Sequence, residues 1–221
     1  MIQYGCNRKA TCCPSYSGRH ILKRRITMYL EKINSPSDIK KLSVDEMKKL
    51  TQEMRDALIF KLSRHGGHCG PNLGFAEATV ALHYVFDSPV DKIVFDVSHQ
   101  TYCHKMLTGR KDGFLYEEHF DDISGYSNPA ESEHDFFVIG HTSTSVSLAL
   151  GLAKARDLKG GSSTIVSVIG DGSLTGGMAY EALNNAAELK TNFIIIINDN
   201  NMSISRNVGG MSTYLSALRT A

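Results

Sequence analysis

Two polar loops in the C-terminal half of the sequence contain residue types that could bind a metal and a phosphate. The stretch "GDGSLTGGMAYEALNN" covers residues 170–185 and places Asp171 between two glycines. Glycines allow the backbone to approach a phosphate, but a carboxylate repels that anion unless a cation lies between the two groups. The second loop, "NDNN" at 198–201, offers neutral amide oxygens.

Mg²⁺ is the cation that best suits these two loops. It takes about six oxygen ligands. One or two of these usually come from the protein, and substrate phosphates supply others. Asp-Gly turns and asparagine-rich turns are both common when taken singly, but here they follow two apolar stretches and lie about thirty residues apart. The pair therefore predicts a metal–diphosphate site. A dinucleotide-binding fingerprint fits less well, because its glycine spacing is different.

Three of the nine histidines are candidates for proton transfer at neutral pH. His68 lies in the glycine-rich stretch "GGHCG", while His99 and His141 lie in the stretches "VSHQ" and "IGHTSTS". We expect no chemical role for His83, which lies within a helical pattern. Histidines beside a metal–diphosphate site indicate carbon chemistry with a cofactor, and the absence of a P-loop lysine motif argues against a nucleotide hydrolase.

An α/β fold is needed to bring these loops together. Helical patterns occupy residues 42–63, 75–86, 143–158 and 176–189, and apolar runs that predict strands occupy 92–97, 163–170 and 192–199. The first helical pattern begins with a capping box at Ser43 and Glu46. This alternation predicts a doubly wound parallel sheet with helices on both faces. The unbroken isoleucine run at 194–197 is typical of a central strand buried on both sides. We expect a loop at 98–105, an irregular excursion at 111–139, and a ligand site at the carboxyl ends of the strands.

Composition and charge limit the class of protein and its partners. The 221 residues include 42% hydrophobic and 21% charged residues, as in a soluble globular domain, and no apolar run has the length of a membrane span. Six of the 24 basic residues and no acid lie in residues 1–27, which leaves 18 basic and 23 acidic residues in 28–221. A mildly acidic body argues against nucleic acid as the main partner.

The cysteines and the basic N-terminal residues 1–27 bear on the cellular compartment of the protein. Five cysteines without paired CxxC sites argue against a disulfide framework or a zinc site and favour a reducing compartment such as the cytoplasm. Residues 1–27 are interpreted as a basic leader outside the fold, either disordered or preceding the true start at Met28. The alternative is a transit peptide to a plastid. Residues 28–221 then form the α/β domain.

Six motifs in one order resemble the amino-terminal part of the 1-deoxy-D-xylulose-5-phosphate synthase family, within the thiamine-diphosphate-dependent transketolase superfamily. They are "SRHGGHCGPNLG", "DVSHQTYCHKMLTGR", "ESEHD", "GHTSTS", "GDGSLTGGMAYEALNNA" and "NDNNMSIS". The resemblance runs from about Met28 to the end of the chain. It implies a thiamine-diphosphate-binding domain that is incomplete relative to the family. The family condenses pyruvate with D-glyceraldehyde 3-phosphate, which starts non-mevalonate isoprenoid synthesis and also feeds thiamine synthesis.

The resemblance also implies roles for individual residues. Asp171 and Asn200 would ligate Mg²⁺ by their side chains, and Met202 by its carbonyl oxygen. His68 would face the substrates and transfer protons, with His99 as a second catalytic residue. The residues expected to contact thiamine diphosphate are His99, Gly140, His141, Thr142, Gly172, Ser173 and Asn200.

The sequence departs from the family pattern at three positions and in its length. Thr142 stands where serine is usual, Asn201 follows "NDN" where glutamate is common, and Ser98 replaces a glycine. Family members are much longer, act as dimers, and take from a following domain the glutamate that activates the cofactor. We therefore expect these 221 residues alone to be inactive and to require the C-terminal domains. The alternative is a non-catalytic or partner-dependent half of a transketolase-type enzyme acting on sugar phosphates.

Overall fold

The structure, a computed structural model, describes residues 29–200 and 207–220. Its centre is a parallel sheet of three strands in the order β1-β2-β3. The strands are β1 Lys92–Phe95, β2 Ile165–Gly170 and β3 Ile194–Asn198. The predicted parallel α/β fold is therefore confirmed, and the carboxyl ends of all three strands lie at one edge of the sheet.

Nine α-helices occur among the described residues. They are α1 Pro36–Ile39, α2 Val44–His65, α3 Gly70–Gly74, α4 Ala76–Val85, α5 Tyr102–Lys105, α6 Asp112–Leu115, α7 Ser145–Leu158, α8 Gly177–Leu189 and α9 Gly210–Thr220. Short 3₁₀ turns cover Leu30–Lys32, Glu117–His119 and Ser173–Thr175, and a π-type turn covers Met106–Arg110. No helix in this described part of the chain is both long and apolar enough to cross a membrane.

Helix α2 begins at the capping box that the sequence predicts. The Ser43 hydroxyl accepts a hydrogen bond from the Glu46 amide, and the Glu46 carboxylate accepts one from the Ser43 amide at 2.8 Å. The helix ends before Gly66, whose positive φ of 83° suits glycine. His68 lies two residues after Gly66, so the end of α2 determines where the loop that contains His68 begins.

Helices cover both faces of the sheet, as predicted. Phe75 and Leu82, at the N-cap and within α4, pack on the face formed by Val166 and Val168 of β2. Helices α7 and α8 pack on the opposite face; one cluster there contains Val146, Ile169, Leu174, Ala179 and Ala182. The sheet is thus a layer between helices, with β1 and β2 better covered than β3.

The expectation that 194–197 is a central strand is wrong for the described residues. Strand β2 is central, with residues 165–169 all buried, while β3 has β2 as its one neighbour in that region. Ile194 is 38% exposed and Ile197 45% exposed. The cluster below α4 is centred on β1 and β2, so it gives β3 only partial cover. An apolar run therefore marked a strand without revealing its position in the sheet.

The predicted loop at 98–105 is also partly wrong, because its second half is helix α5. The loop proper extends from Asp96 to Thr101. Within α5, Lys105 is completely buried, and its ammonium contacts Glu131 at 2.6 Å. Arg110 pairs with Asp135 at 2.7 Å. These buried ion pairs fasten the irregular segment to α5 and to the turn after it. The irregular segment was predicted at 111–139, but helix α6 occupies Asp112–Leu115, so it begins at 116.

Candidate functional site

Asp171 lies directly after β2, at the carboxyl edge of the sheet. Its amide donates to the carbonyl of Asn198 at the end of β3, at 3.1 Å, so the two polar loops meet as predicted. Burial, followed by the neighbouring Asp199 carboxylate, raises the pKa of Asp171, while hydrogen bonds from the backbone amides of Gly172 and Asn200 oppose that rise. The Asn207 side chain donates to Asp171 Oδ2 at 2.6 Å. Two carboxylates held this close favour a proton or a cation between them.

Metal ligation at this edge is not shown by the structure. Among the described residues, no three side chains of histidine, cysteine, aspartate or glutamate are grouped closely enough to hold a metal ion. Asn200 lies in the described part of the chain and is exposed, but Met202 lies outside the described residues. The ligand set of Asp171, Asn200 and Met202 therefore stays a prediction.

The loop with Gly140, His141 and Thr142 is attached to β1 by Asp96. The Asp96 carboxylate accepts hydrogen bonds from the backbone amides of residues 143, 144 and 145, at 2.8–2.9 Å. Because α7 begins at Ser145, Asp96 satisfies amides at the start of that helix, as an N-cap side chain would. Gly140, His141 and Thr142 remain exposed beside this anchor.

The orientation of His141 follows from one hydrogen bond. Its Nδ1 lies 2.8 Å from the carbonyl oxygen of Thr142, which can only accept a hydrogen bond. Nδ1 therefore carries the proton, and in the neutral ring Nε2 is left as an acceptor toward solvent.

A second contact joins the 140–145 loop to the glycine-rich loop after β2. The hydroxyl of Ser143 donates to the carbonyl of Ser173 at 2.6 Å. Gly176 lies against that hydroxyl, and a Cβ atom at position 176 would collide with it. The predicted cofactor-binding residues on the two loops, Gly172 and Ser173 among them, are thus held together around Ser143.

His68 and His99 lie side by side, although they come from loops far apart in sequence. Their ring centroids are 5.5 Å apart in an edge-to-face arrangement. Nδ1 of His68 is 3.3 Å from the Tyr102 hydroxyl, and its Nε2 is 3.5 Å from the Tyr126 hydroxyl. Burial lowers the pKa of His68; for His99, burial and then the nearby His68 lower it. Both imidazoles are therefore neutral at pH 7 and able to accept a proton.

His99 has a buried polar atom with no partner. Its Nδ1 makes no hydrogen bond in the structure. Buried polar atoms almost always have partners, so one without a partner suggests a place where a ligand can bond.

The backbone before His99 is strained. Val97 and Ser98 have φ values of 56° and 69°, which are unusual for any residue other than glycine and rare for a β-branched one. The Ser98 hydroxyl donates to the Ile139 carbonyl at 3.0 Å and accepts from the Ser127 amide at 2.9 Å. These two bonds offset the strain and explain how serine is accommodated at a position where the family pattern has glycine. Strain of this kind clusters at functional sites.

The structure thus brings the predicted residues into two groups. His68 and His99 form one group with two tyrosines, and Asp171 forms the other with the loop after β3. Asp96 and Ser98, in the loop that contains His99, link the two groups. Ser98 bonds to the carbonyl of Ile139, and Asp96 bonds to the amide of Ser143, which in turn contacts the loop after Asp171.

Three residues of this site were missed from the sequence: Asp96, Tyr102 and Tyr126. For Asp96, the sequence offered one signal of a site residue: an acid directly after the apolar run of β1. The others bond to groups that are distant in sequence.

A helix-covered parallel sheet with polar loops gathered at the carboxyl ends of its strands is typical of α/β enzyme domains that bind a ligand at that edge. A family model described as 1-deoxy-D-xylulose-5-phosphate synthase matches residues 30–221. The chain belongs to this family.

Individual relatives agree with the family match. The 1-deoxy-D-xylulose-5-phosphate synthase of Caldanaerobacter subterraneus subsp. tengcongensis is 56% identical over 191 residues, which is 86% of this chain and 31% of the relative. That of Dictyoglomus turgidum is 56% identical over 192 residues, 87% of this chain and 31% of the relative. That of Thermomicrobium roseum is 55% identical over 194 residues, again 87% and 31%. The chain thus spans just under a third of the length of these relatives.

Proposed function

We propose that this chain is the cofactor-binding part of an enzyme that condenses pyruvate with D-glyceraldehyde 3-phosphate. The products would be 1-deoxy-D-xylulose 5-phosphate and CO₂, and the cofactors thiamine diphosphate and Mg²⁺. The family match over residues 30–221 carries this proposal. The product would enter isoprenoid and thiamine synthesis, as the resemblance implies.

Two features of the described residues support the proposed cofactors. The unpartnered Nδ1 of His99 is a buried atom that a polar ligand over this loop would satisfy. Asp171 lies beside Asp199; burial and then the Asp199 carboxylate raise its pKa, and a divalent cation would relieve the repulsion between the two carboxylates. By the resemblance, the residues that would contact thiamine diphosphate are His99, Gly140, His141, Thr142, Gly172, Ser173 and Asn200. Asp171, Asn200 and Met202 would hold the metal.

Thiamine diphosphate, when bound, supplies the nucleophilic carbon for this chemistry, and the protein supplies orientation and proton transfer. His68 is half-buried, and burial keeps its pKa below the ordinary value, so its neutral ring can accept a proton from a substrate hydroxyl. His99, whose pKa is lowered in the same way, would contact the cofactor and assist that transfer. The two tyrosines around His68 restrict its orientation.

The reaction can be tested in a hybrid enzyme, in which residues 30–221 replace the matching segment of the Dictyoglomus turgidum relative. We expect the hybrid to form 1-deoxy-D-xylulose 5-phosphate from pyruvate and D-glyceraldehyde 3-phosphate when Mg²⁺ and thiamine diphosphate are present. Product is identified by mass spectrometry, with the unmodified relative as the positive control. A folded hybrid that uses a ketose phosphate in place of pyruvate would instead support the sugar-phosphate alternative.

The isolated 221-residue chain is proposed to form no product, because the carboxyl group that activates the cofactor is expected from another domain. A chain that supplies the remaining domains would then restore activity. Steady product formation by the isolated chain would contradict this part of the proposal. A homodimer and a cytoplasmic location remain proposals from the resemblance and the cysteine content.

A further inference from the structure

Asn72 is completely buried between the two histidine loops, and its side chain bonds only to main-chain atoms in them. Its Nδ2 donates to the carbonyl of His68 at 2.7 Å and to the carbonyl of His99 at 2.8 Å. Its Oδ1 accepts from the amide of Tyr102 at 2.9 Å. Both donor hydrogens and the acceptor oxygen of the amide are therefore used within the protein.

These bonds join segments that are distant in sequence. Asn72 lies in α3, four residues after His68, but 27 residues before His99 and 30 before Tyr102. The Tyr102 side chain, from α5 directly after the His99 loop, makes longer contacts: its hydroxyl lies 3.4 Å from the His68 amide and 3.3 Å from His68 Nδ1. The shortest hydrogen bonds between the His68 loop and the His99 loop therefore pass through Asn72.

We propose that Asn72 is a positioning residue that holds the His68 and His99 loops together as one unit, so that the two imidazoles keep a fixed separation in the active site. The inference rests on the proposed function for the roles of His68 and His99, but the geometry it describes is independent of that function. An apolar residue at position 72 would leave the carbonyls of His68 and His99 without their shared donor, and unpaired buried carbonyls are costly. The two loops would then separate or admit water.

Separation of the loops would change the surroundings of both rings. His68 now faces His99, Tyr102 and Tyr126, and His99 faces His68 and Asp96. Burial is the main cause of the lowered pKa of each ring, so entry of water would raise both values toward the ordinary one.

The first experiment uses the 221-residue chain without cofactor. Histidine pKa values are measured by NMR titration in the wild type, in Asn72→Ala and in Thr79→Val. Thr79 is also buried and donates one hydrogen bond, to the Phe75 carbonyl, so its valine variant matches the loss of a buried bond without touching either histidine loop. We expect the pKa values of His68 and His99 to rise in Asn72→Ala and to stay unchanged in Thr79→Val.

The second experiment measures turnover in the hybrid enzyme. We expect Asn72→Ala to lower kcat by about 10²-fold, the typical effect of misplacing catalytic groups, with little change in KM for either substrate. Asn72→Ser, whose single hydroxyl can donate to only one of the two carbonyls, should lie between Asn72→Ala and the wild type. The serine variant decides the question if Asn72→Ala does not fold.

Unchanged pKa values at both histidines, together with kcat within about twofold of wild type, would overturn the role of Asn72. If the wild-type hybrid makes no product, the proposed function fails, and the NMR titration alone still decides whether Asn72 holds the two loops together.

Discussion

The imidazole rings of His83 and His104 meet end to end through their nitrogens in the protein interior, with ring centroids 5.0 Å apart and Nε2 of His83 2.8 Å from Nδ1 of His104. His104 Nε2 lies 3.1 Å from the carboxylate of Asp135, which accepts a hydrogen bond from it. His104 Nδ1 is then an acceptor and His83 Nε2 a donor, which leaves His83 Nδ1 without a partner. This arrangement suits two neutral rings, and we expected no chemical role for His83.

Acid should destabilise the fold because these two histidines are buried in the neutral form. Burial lowers the pKa of His83 and of His104 below the ordinary value of 6.5. Since the unfolded chain takes up protons more readily, stability is present above pH 6.5 and is lost as the pH falls below it. Urea midpoints of the 221-residue chain should therefore decrease from pH 7 to pH 5.5.

The variant His83→Phe keeps a buried ring but removes one titrating group, so its stability should fall less over the same pH range. His119→Gln is the control. His119 is exposed, and its hydrogen bond to Asp122 raises its pKa, so protonation of His119 favours the folded state, whereas protonation of His83 opposes it. Equal losses in the wild type and in His83→Phe would contradict this explanation.

Asp171→Ala should abolish Mg²⁺-dependent binding of thiamine diphosphate. The variant removes the carboxylate that is held between the loops after β2 and β3, and with it the proposed charged ligand of the metal. Binding is measured by calorimetry in the hybrid enzyme, with and without Mg²⁺. Asp157→Ala, which removes an exposed carboxylate at the end of α7, should bind as the wild type does. Equal affinity in Asp171→Ala would exclude the metal bridge.

His68→Ala should lower turnover of the hybrid enzyme by roughly 10²–10⁴-fold, the range for loss of an acid–base group. Cofactor affinity should change much less, because His68 lies on a loop separate from the proposed metal-binding loops. Steady-state rates and calorimetry measure the two effects. His65→Ala, three residues away at an exposed site beside Asp121, is the matched control. Turnover close to wild type would show that His68 has only a structural role.

Gly176→Ala should weaken cofactor binding by disturbing the contact between two loops. Its Cβ would collide with the Ser143 hydroxyl, which now bonds to the Ser173 carbonyl. The next residue provides the control, since a Cβ at Gly177 meets no atom within 4 Å. Calorimetric affinity should fall in Gly176→Ala and remain near wild type in Gly177→Ala. Similar affinity in both variants would mean that the 140–145 loop tolerates displacement.

The parts predicted correctly from the sequence depend on local patterns. Strands β1–β3 appear as apolar runs, α2 has its capping box, and Asp171 is marked by flanking glycines. The place of β3 in the sheet was missed, because strand order depends on which segments pair across the chain. Asp96 and Asn72 were missed because they bond to backbone groups 47–49 and 27–30 residues away, and any residue can provide such a group.

The position of β3 has a consequence for handling the protein. Among the described residues its outer side has no neighbouring strand, and Ile194 and Ile197 are partly exposed there. Free strand edges with apolar side chains tend to pair between molecules. Concentrated solutions of these 221 residues should therefore show rising light scattering through strand-to-strand association. A charged residue at this edge, as in Ile197→Lys, should keep the molecules apart.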